Sequence, residues 1–443
     1  MDSLRAPRAS ALDRINRLPI TSYYRKLAWI LGFVFFFDHA DINTLAFAAP
    51  GIVKFWGISL TTVATLVSAT FAGMFVGASV GGWLADRIGR KRALLYTTIW
   101  YTSFSLLNAL AWSPASLFAT RLLTGIGISA MTVVGITYIT EIFPARVRGA
   151  CQGWVMLIGL CGVPLTAYIA RFCIPLAPWG WRLVFVWGAV GILFPLFSGS
   201  LEESPRWYEN HGRFDEADAA LDRIEDRVRR EAGELPNVVH TAQEPRQHGR
   251  YADLFAHAYL PRTVLLVSAW VFMTLGFFGF TSWVPTLLLA QGFSLVHSLA
   301  WSSAMSLATI PGALLAALLS DKWERKWLIS IASIVIAACG LLYGSTFKIA
   351  SILVFGLLVE MFIHMFSPLM YTYTAESFPS RIRNSGTGLA YGAGRLANVF
   401  GPLLVAWLYH RHGYTSVFIY IATSWVMVGI LVAAFGLRSR RLV

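Results

Sequence analysis

The feature that most constrains this chain is a series of long apolar runs, each long enough for a helix to cross a lipid bilayer. A helix needs roughly 20 apolar residues to span the hydrocarbon core. The runs, called spans 1 to 12 below, cover 27–50, 61–84, 93–112, 115–139, 149–171, 183–199, 263–289, 298–319, 328–346, 350–374, 384–409 and 415–436. A transmembrane β-barrel would instead alternate polar and apolar residues. The sequence therefore predicts an all-α membrane protein with twelve transmembrane helices.

The composition agrees with this prediction. Of the 443 residues, 56% are hydrophobic and 13% are charged, whereas globular domains usually carry about 25% charged residues. The cysteines stand singly, without the spacing of metal ligands, and are expected to be packing residues. They are Cys151, Cys161, Cys173 and Cys339. We expect neither a cofactor nor a metal site.

The net charge of +13 is distributed unevenly along the chain. Of 36 lysines and arginines, 29 lie in the two termini and in the loops that follow the even-numbered spans. Basic loops stay in the cytoplasm during insertion. The charge therefore predicts cytoplasmic termini in an inner (plasma) membrane, and it argues against nucleic acid as a partner. We expect a monomer.

A repeat with a constant offset divides the chain into two halves. Asp86 and Asp321 are 235 positions apart, and so are Glu141 and Glu376. The same offset maps a further set of residues: Pro50, Gly57 and Ser59 onto Pro285, Gly292 and Ser294. One offset across separated regions indicates a duplication, with halves related by an axis along the membrane normal.

The spans and the repeat predict the domain organisation. It comprises a cytoplasmic N-terminus (1–26), a six-helix bundle (27–199), a cytoplasmic linker (200–262), a second six-helix bundle (263–436) and a cytoplasmic tail (437–443). Apolar residues recur at helical spacing among charges in the linker, at Phe214, Ala217, Leu221, Ile224 and Val228. This periodicity predicts an amphipathic surface helix. We expect this helix to be a solvated connector between the two bundles.

Ionisable residues inside the spans mark candidate functional positions, because each costs at least about 2.5–3.5 kcal/mol at the bilayer centre. They are Asp38, His39 and Asp41 in span 1, Arg121 in span 4, Glu360 and His364 in span 10, and Arg395 in span 11. At a rise of 1.5 Å per residue, Asp41 lies roughly 13 Å below the outer end of span 1 and Arg121 roughly 9 Å below the outer end of span 4. The two are therefore expected to pair. Asp38, Glu360 and Arg395 fall near the midplane.

Counting charges points to proton coupling. The carboxylates Asp38, Asp41 and Glu360 face two arginines, which leaves one carboxylate without a partner. A buried carboxylate without a partner tends to take up a proton. We expect proton coupling at Asp41 ahead of Asp38, with Arg121 and Glu360 involved.

The loop residues 81–91, Gly-Gly-Trp-Leu-Ala-Asp-Arg-Ile-Gly-Arg-Lys, resemble the G-x-x-x-D-R-x-G-R-[RK] signature of the major facilitator superfamily. The resemblance covers nearly the whole chain and implies alternating access between two six-helix bundles. It also implies cytoplasmic ion pairs, Arg90 with Glu141 and Arg325 with Glu376, that latch the halves in the outward-facing state. The predicted latch set is Asp86, Arg90, Glu141, Arg148, Asp321, Arg325, Glu376 and Arg383.

Shorter motifs resemble one branch of that superfamily. The D-x-x-D of Asp38 and Asp41 is similar to the first span of aromatic-acid/proton symporters and nicotinate-type carriers, although His39 departs from the usual glycine. Arg121 opens an R-x-x-x-G-x-G motif typical of proton-coupled members, which implies that it modulates a span 1 aspartate. Gly394-Arg395 resembles the span 11 arginine of organic-anion carriers, which implies a carboxylate ligand.

The resulting hypothesis is proton-coupled uptake of a small organic, aromatic monocarboxylate such as a benzoate-type acid or nicotinate. Arg395 is expected to bind the carboxylate. The other candidate substrate-binding residues are Tyr391, Tyr371, Trp283, Phe277, His39 and His364.

Two other transport functions remain open. The motif 203–207, Glu-Ser-Pro-Arg-Trp, resembles that of sugar porters, although 271–280 lacks the amides that bind sugar hydroxyls. Proton-coupled efflux of drugs or metabolites is the other, although 159–164 is a poor copy of the antiporter motif. An enzyme is not expected, because no nucleophile–base or metal constellation is present.

Overall fold

The computed structural model describes residues 10–238, 251–320, 322–379 and 381–438, and over those residues the chain is helical, without strands. Spans 1 to 6 are Ser22–Trp56, Leu60–Ile88, Arg90–Ala109, Pro114–Ile142, Ala145–Leu176 and Trp181–Ser198. Spans 7 to 12 are Leu260–Thr281, Leu295–Leu319, Arg325–Gly344, Ile349–Glu376, Arg383–His412 and Tyr414–Phe435. A short helix, Val284–Ala290, continues span 7. The predicted fold class is confirmed.

Ten of these helices, within the described ranges, are long and apolar enough to cross a membrane. The two others are spans 3 and 11, whose mean hydropathy is lowered by polar residues. In span 3 many of these point inward and are buried, namely Thr97, Thr98, Thr102, Ser105 and Asn108. Their hydroxyls mostly donate to backbone carbonyls one turn earlier, which satisfies them without water.

The duplication is visible at the outer end of span 1 and its counterpart in the second half. Gly57 and Gly292 both adopt positive φ, 62° and 90°, and end their helices in the left-handed region that favours glycine. Ser59 and Ser294, two residues later, each cap the next helix with a side-chain oxygen. The equivalent positions therefore build the same turn.

The duplication also extends to helix packing. A Cβ added at Gly77 in span 2 would lie 2.1 Å from the carbonyl oxygen of Ile126 in span 4. A Cβ added at Gly312 in span 8 would lie 2.2 Å from the carbonyl oxygen of Met361 in span 10. Both glycines and both carbonyls are related by 235 positions. The halves therefore share one close helix crossing.

The two halves meet chiefly along spans 2 and 11 and along spans 5 and 8. The continuation of span 7 also packs against span 1. Aromatic side chains contribute, since Phe71 of span 2 and Phe278 of span 7 have ring centroids 4.6 Å apart. Residues of spans 1, 2, 7 and 11 therefore face one another between the halves.

The linker contains a helix at Phe214–Ala232, called the connector helix below, where the periodicity predicts one. Its apolar face is not solvated, because Leu221, Ile224 and Val228 are fully buried. Phe214 is the exception and is half exposed. A helix at Ala11–Asn16 packs on it, with Ala11, Ile15 and Leu221 forming a small core. The connector helix is therefore a docked element rather than a free spacer.

Candidate functional site

Asp41 and Arg121 form an ion pair that is fully buried in the first half. Arg121 Nη1 lies 3.4 Å from Asp41 Oδ2, and the side chains are 1% and 0% exposed. Arg121 Nε also donates to Thr70 Oγ1 at 3.1 Å, and Ser105 donates to Asp41. These four residues, the coupling cluster below, join spans 1 to 4. The predicted pairing of Asp41 with Arg121 is present.

Small residues create the space that the coupling cluster occupies. A Cβ at Gly125 in span 4 would lie 2.2 Å from the carbonyl oxygen of Thr70, so span 2 approaches span 4 closely just beside Arg121. A Cβ at Gly188 in span 6 would lie 2.6 Å from Asp41 Oδ1. Glycine at these positions therefore brings the charged groups within ion-pair distance.

The coupling cluster exists in one half only. Adding 235 to Asp41, Arg121, Thr70 and Ser105 leads to Gly276, Gly356, Met305 and Gly340. A Cβ at Gly356 would lie 1.9 Å from Met305 Sδ, so an apolar contact stands where the first half has Arg121 and Thr70. The duplicated scaffold therefore carries this polar chemistry asymmetrically.

Asp38 lies one helical turn from Asp41 but has different neighbours. Both of its carboxylate oxygens are 3.3 Å from Thr132 Oγ1, which can donate to only one of them at a time. His39 Nδ1 lies 3.7 Å from Asp38 Oδ2. The side chain of Asp38 is 1% exposed, and the positive charge of Arg395 in the other half attracts its carboxylate. Asp38 is therefore a buried carboxylate that faces the second half.

Arg395 in span 11 has no carboxylate within ion-pair distance in the described part of the chain. Its Nε donates to Tyr391 Oη at 2.9 Å, and Nη2 contacts the same hydroxyl. Nη1 lies 3.1 Å from Met74 Sδ, a weak acceptor in the first half. The guanidinium therefore keeps donor capacity for a ligand.

An aromatic cluster surrounds the arginine. Trp270 of span 7 packs edge-to-face on Tyr371 at 4.7 Å and on Tyr391 at 5.3 Å between ring centroids. Trp270 Nε1 donates to Thr374 Oγ1 at 2.9 Å, which fixes the indole. We call Arg395, Trp270, Tyr371 and Tyr391 the midplane group. Sequence reasoning missed Trp270, which is 1% exposed and supports the two tyrosine rings from the core.

Glu360 and His364 form a second polar pair, in span 10. His364 Nδ1 lies 3.4 Å from Glu360 Oε2, and the imidazole lies against the ring of Phe277 at 5.5 Å between centroids. By contrast, Trp283 is 1% exposed and packs in the hydrophobic core. Phe277 therefore stands beside a central polar residue, and Trp283 does not line an open space.

The pairing of charges differs from the count made on the sequence. Two carboxylates, Asp38 and Glu360, lack an arginine at ion-pair distance within the described ranges, rather than one. Each lies near a histidine instead. The reason is that Arg395 turns toward the hydroxyl of Tyr391, one helical turn earlier, and toward Met74.

The predicted latch residues of the first half are in contact. Arg90 makes two hydrogen bonds of 3.0 Å to the carboxylate of Glu141 and lies 3.0 Å from Asp86 Oδ1. Arg148 donates to the carbonyl of Phe143. All of these contacts lie within the first half. The structure therefore shows the ion pair, while a latch between the halves stays a prediction.

The second half repeats this arrangement. Arg325 Nη1 lies 2.5 and 2.7 Å from the two carboxylate oxygens of Glu376. Arg383 donates to the carbonyl of Phe378, the counterpart of the contact from Arg148. Asp321 lies outside the described residues. These contacts also stay within one half.

Sequence reasoning missed the role of Glu203 in the sugar-porter-like motif. Its Oε1 accepts hydrogen bonds from the backbone N–H groups of Arg90 at 2.6 Å and of Lys91 at 2.9 Å, at the start of span 3. Trp207 donates to the carbonyl of Asp86 at 2.7 Å. Gly89, with φ of 99°, leaves room for the carboxylate. The motif therefore caps the start of span 3, and in the described ranges none of its hydrogen bonds reaches a central residue.

Comparison with known proteins identifies the family of the chain. A family model described as "Sugar (and other) transporter" matches residues 26–438. A putative metabolite transport protein of Bacillus subtilis is 44% identical, covering 97% of this chain and 96% of its own. A niacin transporter of Acinetobacter baylyi is 30% identical, covering 96% of each chain.

Two further comparisons bear on function and on fold. A 4-hydroxybenzoate transporter of Acinetobacter baylyi is 27% identical and covers 91% of this chain and 88% of its own. The xylose transporter of E. coli, in a partially occluded inward-open conformation, superposes with a TM-score of 0.75 at 17% identity. It covers 95% of this chain and 99% of its own, and it supports the fold alone.

Proposed function

The chain belongs to the sugar (and other) transporter family of the major facilitator superfamily, and from that premise we propose that it performs proton-coupled uptake of a small aromatic monocarboxylate. The chain is a transporter and not an enzyme. Transport by this fold proceeds by alternating access around a site near the membrane midplane. The proposal places the carboxylate of the substrate at Arg395 and the coupling proton at Asp41.

The observation that carries the proposal is the guanidinium of Arg395 at the interface between the halves, which has no carboxylate at ion-pair distance among the described residues. A partly buried charge without a counter-ion is costly, and a substrate carboxylate supplies that counter-ion. The planar guanidinium can donate two parallel hydrogen bonds to a carboxylate. Tyr371 and Tyr391 offer ring faces and edges beside it, and the buried Trp270 packs against both tyrosine rings. A small aromatic acid satisfies both the charge and the apolar surface.

The coupling proton is assigned to a different place. Arg121 already has a carboxylate partner in Asp41, so this pair does not require the substrate. When span 1 shifts against span 4 during the transport cycle, the longer contact removes the compensation for the buried Asp41 charge, and the carboxylate then favours its protonated form. Asp38, between Asp41 and Arg395, connects the two sites electrostatically.

The relatives support the aromatic-acid assignment and also keep one alternative. The names of two relatives contain niacin and 4-hydroxybenzoate. Both compounds are aromatic carboxylates when the carboxyl group is ionised. The name of the family keeps sugar:proton symport as a second candidate. A sugar has no carboxylate, so the two candidates differ in their need for Arg395.

Uptake by purified protein in liposomes tests the charge requirement. We expect a benzoate-type acid to be accumulated under an inward proton gradient, and its amide and xylose to be poor competitors. Arg395→Lys should raise the apparent KM about tenfold or more, because lysine cannot reproduce the paired hydrogen bonds. Arg411→Lys, at the exposed outer end of the same helix, is the matched control. Equal competition by the acid and its amide would contradict the binding of a carboxylate at Arg395. Net export of the acid would favour the efflux alternative.

A further inference from the structure

Two histidines at the centre of the molecule are held in one defined tautomer. His39 Nδ1 lies 2.9 Å from the carbonyl oxygen of Phe35, and His364 Nδ1 lies 2.9 Å from the carbonyl oxygen of Glu360. A carbonyl oxygen only accepts hydrogen bonds, so the proton is on Nδ1 in both rings. In a neutral imidazole the other nitrogen, Nε2, is then an acceptor.

Both rings are expected to be neutral. The side chains of His39 and His364 are 24% and 7% exposed, and burial disfavours the imidazolium form. The neighbouring carboxylates, Asp38 and Glu360, lie on the Nδ1 side of each ring and therefore support the same tautomer.

The acceptor atoms are available to a ligand. Within the described ranges the hydrogen bonds of both rings are made by Nδ1, and no backbone or side-chain group donates to Nε2 of His39 or of His364. His39 is on span 1 and His364 on span 10, so the pair stands on opposite sides of the interface between the halves. A Cβ at Gly159 in span 5 would lie 3.2 Å from His39 Nδ1, so glycine there makes room for the imidazole.

We propose that the free Nε2 atoms of His39 and His364 accept hydrogen bonds from ring hydroxyl groups of the substrate, so that the chain selects hydroxylated aromatic acids. The inference rests on the proposed function, because it assumes an aromatic acid whose carboxylate is at Arg395. It assigns substrate selection to His39, the residue at which the first span departs from the resembled carriers.

The chemistry separates closely related acids. A phenol donates to Nε2, whereas benzoate leaves the acceptor unpaired once water is displaced, which lowers affinity. The ring nitrogen of nicotinate is itself an acceptor and opposes the imidazole lone pair. Methoxybenzoate keeps the phenol oxygen of hydroxybenzoate but has no hydroxyl proton to donate to Nε2. The expected order of affinity is hydroxybenzoate above benzoate, methoxybenzoate and nicotinate, by at least about tenfold, as for buried donors and acceptors elsewhere.

Competition against labelled 4-hydroxybenzoate in liposomes tests the order without any mutation. The competitors are benzoate, 3- and 4-hydroxybenzoate, 4-methoxybenzoate and nicotinate. Equal competition by benzoate, methoxybenzoate or nicotinate would overturn the inference and leave the proposed function standing. Failure of every aromatic acid to bind, 4-hydroxybenzoate included, would overturn both.

Variants of the histidines then locate the acceptor. His39→Phe and His364→Phe keep a ring and remove the acceptor, and at least one should reduce the ratio of hydroxybenzoate to benzoate affinity by about tenfold. His39→Gln or His364→Gln, at the position affected, supplies an amide oxygen and should restore part of the ratio. An unchanged ratio in both phenylalanine variants would overturn the assignment to these residues.

Discussion

Asp38 and Asp41 show how two identical side chains three residues apart acquire different roles. They share a helix face, yet Asp41 meets Arg121 and Ser105, while Asp38 meets Thr132 and faces Arg395. The pairing of Asp41 with Arg121 is predictable, since both depths follow from the helical rise. The orientation of Arg395 is not predictable in this way, because it depends on which neighbouring acceptor the guanidinium contacts.

At this scale the first prediction concerns the coupling proton. Asp41→Asn mimics a permanently protonated carboxylate, so the loaded carrier should still exchange labelled for unlabelled substrate. It should lose accumulation under a proton gradient, because the proton is no longer released and rebound. Counterflow and pH-driven uptake in the same liposomes measure the two activities.

Asp38→Asn, measured in parallel, locates the proton within span 1. If Asp41→Asn still accumulates substrate and Asp38→Asn does not, the coupling site is Asp38. If both variants accumulate substrate, coupling moves to Glu360, the remaining carboxylate near the midplane.

Among the helices, the crossing of spans 2 and 4 depends on glycines four residues apart. Gly73 and Gly77 would each place a Cβ 2.1 Å from a carbonyl oxygen of span 4, and Gly81 would place one 2.6 Å from Ala130. Gly82, the first glycine of the loop signature, faces open space. The sequence shows that glycine is needed here but not which of two adjacent glycines meets the partner helix.

The helix crossing leads to the second prediction. Gly77→Ala should destabilise the protein by about 1–3 kcal/mol, because the contact atom at Ile126 is backbone and cannot rotate away. Thermal unfolding in detergent measures the change. Gly82→Ala is the matched control in the same helix and should be neutral or slightly stabilising. Equal melting temperatures for the two variants would contradict the close crossing.

The docked connector helix supplies a third prediction. Burial alone would raise the pKa of Glu225, but hydrogen bonds from Arg14 and Arg17 outweigh it and hold the pKa below 4.5. A depressed carboxylate pKa stabilises the folded contact above pH 4.5, and this stabilisation is lost as the pH falls. Glu225→Gln should therefore speed amide hydrogen exchange in Ala11–Asn16 at pH 7, by about fivefold.

The same experiment includes its controls. The difference between Glu225→Gln and the parent should shrink as the pH falls from 7 to 4. Glu216→Gln removes an exposed pair with Arg213 on the same helix and should leave exchange in Ala11–Asn16 unchanged. No difference at pH 7 would mean that apolar contacts alone hold the N-terminal helix.

For the whole molecule, duplication explains what the sequence predicts well and what it does not. The offset of 235 residues predicts equivalent turns, and the structure adds equivalent helix crossings and equivalent ion pairs in the loops. The offset cannot predict where the halves differ. Gly276 and Gly356 stand where Asp41 and Arg121 would be expected, so the residues proposed for proton coupling are at unduplicated positions.

The final prediction concerns the movement of the halves. Asp86, at the end of span 2, is 75% exposed and paired with Arg90 of its own half, an exposed contact worth about 0–1 kcal/mol. The neighbouring span 11 of the other half begins at Arg383, and a helix N-terminus favours a carboxylate. If Asp86 docks there in the outward-facing state, Asp86→Asn removes a contact specific to that state. Uptake should fall about fivefold or more while the melting temperature stays unchanged. Asp226→Asn, which removes an exposed pair with Arg229 on the connector helix, should transport normally, and normal uptake by Asp86→Asn would exclude the latch.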